Sequence, residues 1–265
     1  MTNGTLGKFV QDIAQMGMGG ACKPEFKLGA ERKYELFYVP FENINHDARL
    51  VLVGITPGPT QIEMAYDRVQ KLLRLGMVHE QILADVKKIA AFGGPRMRPN
   101  LVKMLNHFGF GAFLGISDIN SLWEENAYLL HATSVIPHAA FSNKKPFCGS
   151  FAEIMRSSLL KECFLDSFVE SLSQINDEAL YVALGPTPRA ALEWCVENGH
   201  LNRGQVMGEF AHPSAAGGSR VPYYLREKSR ASLTLRDPVL GSCEKLDSAY
   251  EEMRRSVQMC SSQAG

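Results

Sequence analysis

The run Leu50-Val51-Leu52-Val53-Gly54-Ile55-Thr56-Pro57-Gly58-Pro59 decides how the rest of the chain is read. Four apolar residues in a row, closed by glycine and proline, match a parallel strand buried on both faces. Working outward, residues 34–39 are aromatic-rich and read either as an edge strand or as an extended lead-in to that first core strand. Downstream, Ile62, Val69, Leu72 and Leu73, then Val78, Ile82, Leu83, Val86 and Ile89, recur at helical spacing, with Gly76 dividing them into two helices. Pro99 and Asn100 open another helix whose stripe is Leu101, Val102, Leu105 and Phe108, with Gly109 as its stop. Residues 129–136, 180–184 and 205–211 read as three more buried strands. An amphipathic helix over 151–175 and a proline-entered helix over 188–196 separate them. Leu246, Tyr250, Met253 and Val257 predict a terminal helix at about 243–260, with 261–265 frayed.

Strands alternating with helices predict an α/β protein: a three-layer α/β/α sandwich around a central four-stranded parallel sheet. Loops leaving the carboxyl ends of such strands converge on one crevice. The loop after the first strand and the stretch Glu209-Phe210-Ala211-His212-Pro213-Ser214 therefore address one ligand, with Thr56 facing His212.

The 265 residues are 45% hydrophobic and 21% charged, the balance of a globular enzyme, and no interior low-complexity linker divides them. One domain is expected, with a lead-in over 1–46. No apolar run approaches the ~18 residues that would span a membrane, and the polar start Met1-Thr2-Asn3-Gly4 has no basic region followed by an apolar stretch. The expectation is a cytoplasmic monomer without membrane contact. With 28 basic and 28 acidic side chains, nothing global attracts a polyanion. Three local basic clusters flank the proposed site: Lys87, Lys88, Arg96, Arg98 and Lys103; Lys144 and Lys145; and Arg220, Arg226, Lys228 and Arg230. They read either as a shared basic rim or as solvated helix faces. The six cysteines are widely spaced with no Cys-x-x-Cys pair, which predicts reduced thiols and no metal or other cofactor.

Four stretches together carry a family likeness. They are the Gly54–Pro59 loop; Phe92-Gly93-Gly94 followed by Asn100, Met104 and Gly109; Leu129-Leu130-His131-Ala132-Thr133-Ser134; and Leu184-Gly185-Pro186 followed later by His212-Pro213-Ser214. In this order the chain resembles the uracil-DNA glycosylase superfamily from about Asp47 to about Leu225. The resemblance implies strand order 2-1-3-4, a base stacked on Phe92, and His131 at the base-reading position. Beyond those it implies His212 as the group that stabilises the leaving base. The helical stretch 61–91 is longer than the corresponding connection in most relatives, and would cover or reshape the site. Some relatives hold an iron–sulfur cluster on four cysteines; here Cys22 and Cys163 fall at two of those places, but Glu25 and Val135 occupy the others.

Cleaving a base from deoxyribose builds negative charge on the base and requires a positioned water and an extruded nucleotide. Thr56 and His212 are the expected catalytic residues. Gly54, Ile55, Phe92 and His131 are expected at the base. Pro57, Gly58, Pro59, Pro213, Ser214, Gly217, Gly218 and Arg220 are expected against DNA, single- or double-stranded, or a nucleotide. Glycine and proline in the first loop would let backbone approach the ligand. Two positions depart from the family pattern. Thr56 stands where active relatives place Asp, Asn or Glu to hold water, and lacks a carboxylate's charge. His131 stands where many relatives place Asn, and imidazole cannot present a donor and an acceptor side by side. The expectation is therefore an N-glycosylase for uracil or another damaged base with weak or shifted activity; the alternative is a non-catalytic relative that keeps the pocket to bind nucleic acid or a nucleotide. A phosphate-loop enzyme is disfavoured, because residues 54–60 lack a Gly-Lys-Ser/Thr ending.

Overall fold

The computed structural model describes residues 5–16 and 22–263; residues 1–4 and 17–21 of the lead-in and the last two residues, where fraying was expected, lie outside that range. Helix α1 (Thr5–Gln15) precedes the hairpin β1 (Lys27–Glu31) and β2 (Tyr34–Phe37), and the chain enters its core at β3 (Leu50–Gly54). Helices α2 (Pro59–Arg74), α3 (His79–Ala90), α4 (Met97–His107) and α5 (Phe110–Leu114) follow, then β4 (Leu130–Ser134) and the short strands β5 (Ala139–Ser142) and β6 (Lys145–Pro146). After α6 (Phe151–Arg156), α7 (Ser158–Cys163), a π-helical turn (Phe164–Val169) and α8 (Glu170–Leu172) come β7 (Leu180–Leu184), α9 (Pro186–Glu197) and β8 (Val206–Phe210). Helices α10 (Arg220–Tyr224) and α11 (Cys243–Gln263) complete the chain.

The fold is α/β with two sheets. One has four strands in the order β4-β3-β7-β8, every neighbouring pair parallel, so β4 runs along a free edge. The other is antiparallel, in the order β1-β2-β5-β6. The aromatic segment after residue 33 is thus neither an edge strand nor a simple lead-in. It lies inside the second sheet, because Arg32 at φ 52 closes a tight hairpin onto β1 and its other side pairs with β5.

Strand alternation divides β3 between two cores, since successive side chains point to opposite faces. Leu50 and Leu52 pack with Ile62, Ile82, Leu101 and Met253, whereas Val51 and Val53 pack with Ile154, Leu160, Phe168 and Leu192. Helical residues therefore pack against both faces of β3, which explains why it reads as an unbroken apolar run. Gly76, at φ 71, ends α2 in the left-handed turn that glycine adopts without strain. The single helix expected over 151–175 is instead broken at Ser157. Its extended backbone ends α6 while its hydroxyl accepts the Leu160 N–H and caps α7. No helix among the described residues is long and apolar enough to cross a membrane.

Candidate functional site

A cleft of about 480 Å³ opens at the carboxyl ends of β3 and β8. That size falls within the ~300–1,000 Å³ typical of small-molecule sites. Its walls are residues 54–61, 92–97 and 146–148, together with His212 and Ser214. The expected residues Gly54, Ile55, Thr56, Pro57, Gly58, Pro59, Phe92, His212 and Ser214 thus meet in one place, from loops more than 150 positions apart.

His212 is the best defined of them. Its Nδ1 accepts the Ser214 backbone N–H at 3.3 Å and lies 3.0 Å from the Ser214 hydroxyl. A backbone N–H can only donate, so Nδ1 is the bare nitrogen and Nε2 carries the proton. Burial, with the Arg220 charge adding to it, pushes the imidazole down to about 4, so the ring is neutral at physiological pH. Nε2 has no hydrogen-bond partner among the described residues. The loop itself is pinned where Asn100 donates to the Pro213 carbonyl at 2.8 Å.

Phe92 is buried at φ 50, a left-handed conformation that phenylalanine rarely adopts. Its N–H donates to Gln61 Oε1 at 3.3 Å, and its ring lies against Gly54, where an added Cβ would meet Cε1 at 3.0 Å. Gly54 is therefore required by close approach. Gly58 is not required for its conformation: at φ −82 and ψ 164 it has ordinary extended backbone, and it caps α2 with Pro59 in the first helical turn. The α2 amino terminus, with its partial positive charge, faces the cleft, as does Arg96.

Thr56 departs from its expected role. Its hydroxyl donates to the His138 carbonyl at 2.7 Å and accepts the Ala140 N–H at 3.0 Å, clamping the loop to the start of β5. One lone pair is left to accept from a water, but no proton to donate. No carboxylate lines the cleft among the described residues.

His131 does not join the other three. It is 1% exposed and lines two different cavities along the sheet edge. The register explains this: His131 pairs with Val51 near the start of the sheet, whereas Ser134 pairs with Gly54 at the carboxyl end. The β4 residue that lies beside Gly54 is Ser134, whose Oγ is 3.3 Å from the position a Gly54 Cβ would take. Sequence reading missed Ser134 and Gln61. Matching the strand in register with β3, so that its last residue meets Gly54, would have found the first.

The basic rim is largely spoken for. Lys87 is buried, Arg98 donates to the carbonyls of Lys88 and Ile89, Lys103 pairs with Glu227, and Arg226 pairs with Asp247. Arg96 remains at the cleft. Arg220 folds back over Gly217, and Gly218, at φ 57, turns the chain beside Pro238. These three expected DNA contacts lie beyond the cleft wall. Cys22 and Cys163 are held as thiols, burial pushing them up to about 11 and about 12.

The architecture is that of an α/β protein with a cleft of small-molecule size at the carboxyl edge of a parallel sheet. A relative is the uncharacterized protein YoxB of Bacillus subtilis (strain 168), 32% identical over 212 residues that cover 80% of this chain and 82% of YoxB. The chain belongs to the family of YoxB. No family model matches it, and no solved structure does.

Proposed function

We propose that the chain is a divergent member of the uracil-DNA glycosylase superfamily, a three-layer α/β/α sandwich of order 2-1-3-4 whose cleft receives the base of a nucleotide extruded from DNA and labilises its N-glycosidic bond. The observation that carries this reading is His212: a neutral imidazole, oriented by Ser214, whose unpaired Nε2–H shares a cleft with Phe92. Negative charge grows on the base as the bond to the sugar breaks, and a donor fixed in advance stabilises it by about 3–4 kcal/mol. Phe92 supplies a face for the base, worth about 1–3 kcal/mol. The α2 amino terminus and Arg96 favour the phosphate that accompanies the sugar. In this reading the protein is a cytoplasmic monomer that works without a cofactor.

The weak arm is water. With its only proton donated to the His138 carbonyl, Thr56 orients a nucleophile poorly and offers the sugar cation no charge. Excision is slow for that reason. The same clamp favours a second reading, a non-catalytic binder of nucleotides or nucleic acid.

Incubation with single- and double-stranded oligonucleotides carrying uracil or other lesions, scored for abasic sites, separates the two. Abasic sites that disappear in His212→Ala establish the glycosylase. Nucleotide binding without abasic sites establishes the binder, and neither rejects the base pocket.

A further inference from the structure

A second cavity, of about 670 Å³, is larger than the cleft of His212 and lies apart from it. It runs along the free edge of β4, between the inner face of α3, the 43–47 loop and the turn that carries Leu122 and Trp123. At its floor lies Lys87, 8% exposed. Its ammonium donates to the Asn43 carbonyl and makes no ion pair among the described residues. Lysine is almost never buried without a counter-charge, because the desolvated cation costs several kcal/mol. Glu42, which lines the neighbouring cavity of about 220 Å³ with Lys87, offsets the burial of that cation only in part. Its Oε1 takes the Tyr38 hydroxyl and the Leu6 N–H, and burial raises its carboxyl toward the neutral form.

Two further donors stand in the same walls. The Nδ1 of His131 accepts the Asn45 N–H at 3.2 Å, so its Nε2 carries the proton, and burial with the nearby Lys87 charge keeps the ring neutral. The indole N–H of Trp123 is buried without an acceptor. A buried cation that Glu42 offsets only in part and two N–H groups without an acceptor among the described residues favour an anion in this cavity. An apolar part of the walls is formed by Met77, Leu122 and Ala84, with the exposed Tyr128 at the rim.

We propose that this cavity is a second binding site, for a small molecule that carries an anionic oxygen group, carboxylate or phosphate monoester, on an apolar body. The anion pairs with Lys87 and accepts from His131, while the apolar body lies against Met77 and Leu122. The other titratable groups facing the site are Lys88, His46, Asp47 and Asp85, with Glu42 on the neighbouring cavity, and Arg68 already pairs with Asp85.

The test uses phenyl phosphate, benzoate and the neutral benzamide as probes, titrated into the full chain and followed by calorimetry and by the two indole N–H resonances. Trp123 should shift and saturate with at least one anionic probe, Trp194, which lies outside the cavity, should stay still, and benzamide should bind at least tenfold more weakly. Preference between phenyl phosphate and benzoate identifies the head group. Lys87→Met should weaken the preferred anion at least tenfold, and wild-type affinity should fall as pH rises through about 7, where Lys87 loses its proton. An unmoved Trp123 at millimolar probe, equal affinity for benzamide, or undiminished binding by Lys87→Met would each overturn the proposal.

Discussion

Replacing Lys87 by methionine should make the protein more stable, against the usual direction of core substitutions. Burial pushes the Lys87 ammonium down to about 7. An unfolded lysine titrates near ~10.4, and the gap is worth about 4–5 kcal/mol of preference for the neutral amine in the folded chain. Below pH 7 the folded protein carries that penalty in full. Between about 7 and ~10.4 the unfolded chain binds more protons than the folded one, so stability rises with pH across this window.

Methionine keeps the length of the side chain and removes the charge. It leaves the Asn43 carbonyl without its donor, which costs about 1–3 kcal/mol. It also removes the positive charge that lowers the Glu42 carboxyl, which then stays neutral to higher pH. Net, Lys87→Met should gain about 1–3 kcal/mol at pH 7, a rise of roughly 2–4 °C in Tm for each kcal/mol. By pH 10 the advantage should be gone. Urea unfolding at pH 7, 8.5 and 10 measures both quantities. A variant less stable than wild type at pH 7, or one that keeps the wild-type rise toward pH 10, would refute the assignment of a penalised buried cation.

Nucleotide binding through His212 should be flat from pH 5.5 to 8 and fall only near 4, where the ring takes a second proton; a midpoint near 6.5 by calorimetry would show the ring in ordinary solvent. Thr56→Val, which leaves the His138 carbonyl and the Ala140 N–H unpaired, should lose about 1–3 kcal/mol in urea unfolding. Phe92→Ala should weaken binding of a mononucleotide by about 1–3 kcal/mol when measured on the folded fraction. Gly54→Ala should disturb that binding as well, because its methyl meets the Phe92 ring at 3.0 Å and Ser134 at 3.3 Å; unchanged affinity would place the base elsewhere.

The parallel sheet was legible because burial on both faces writes an uninterrupted apolar run in β3 and β7, and β4 and β8 keep apolar residues beside them. The two helices about Gly76 were legible for a similar reason, period and breaker agreeing. The antiparallel sheet was not. Its strands β1 and β6 are short and exposed, and what holds β2 and β5 together is pairing between residues about a hundred positions apart, a term absent from local pattern. Thr56, Phe92 and His212 do line one cleft as the loops implied, whereas His131 lies elsewhere because the pattern of residues 129–136 does not mark which member ends the strand. A shift of three residues reverses the face and moves a side chain from the carboxyl end to the sheet edge.

That shift also connects the two cavities. Strand β4 presents Ser134 beside Gly54 and Phe92 at one end, and His131 beside Lys87 at the other, within a single rigid five-residue element. Gln61 and Phe92 belong to the same link. The hollow behind the Phe92 ring is walled by Gln61, Ala132, Thr133 and Ser134, so the ring is the partition between the His212 cleft and β4. Phe92 holds φ 50 with its N–H bonded to Gln61, and a strained residue of this kind persists only where its surroundings over-determine it. Gln61→Ala removes one of those determinants without touching His212, Ser214 or Lys87. Loss of mononucleotide affinity in Gln61→Ala, with the Trp123 response to phenyl phosphate or benzoate intact, is the expected outcome; loss of both would mean that the two cavities are one coupled site.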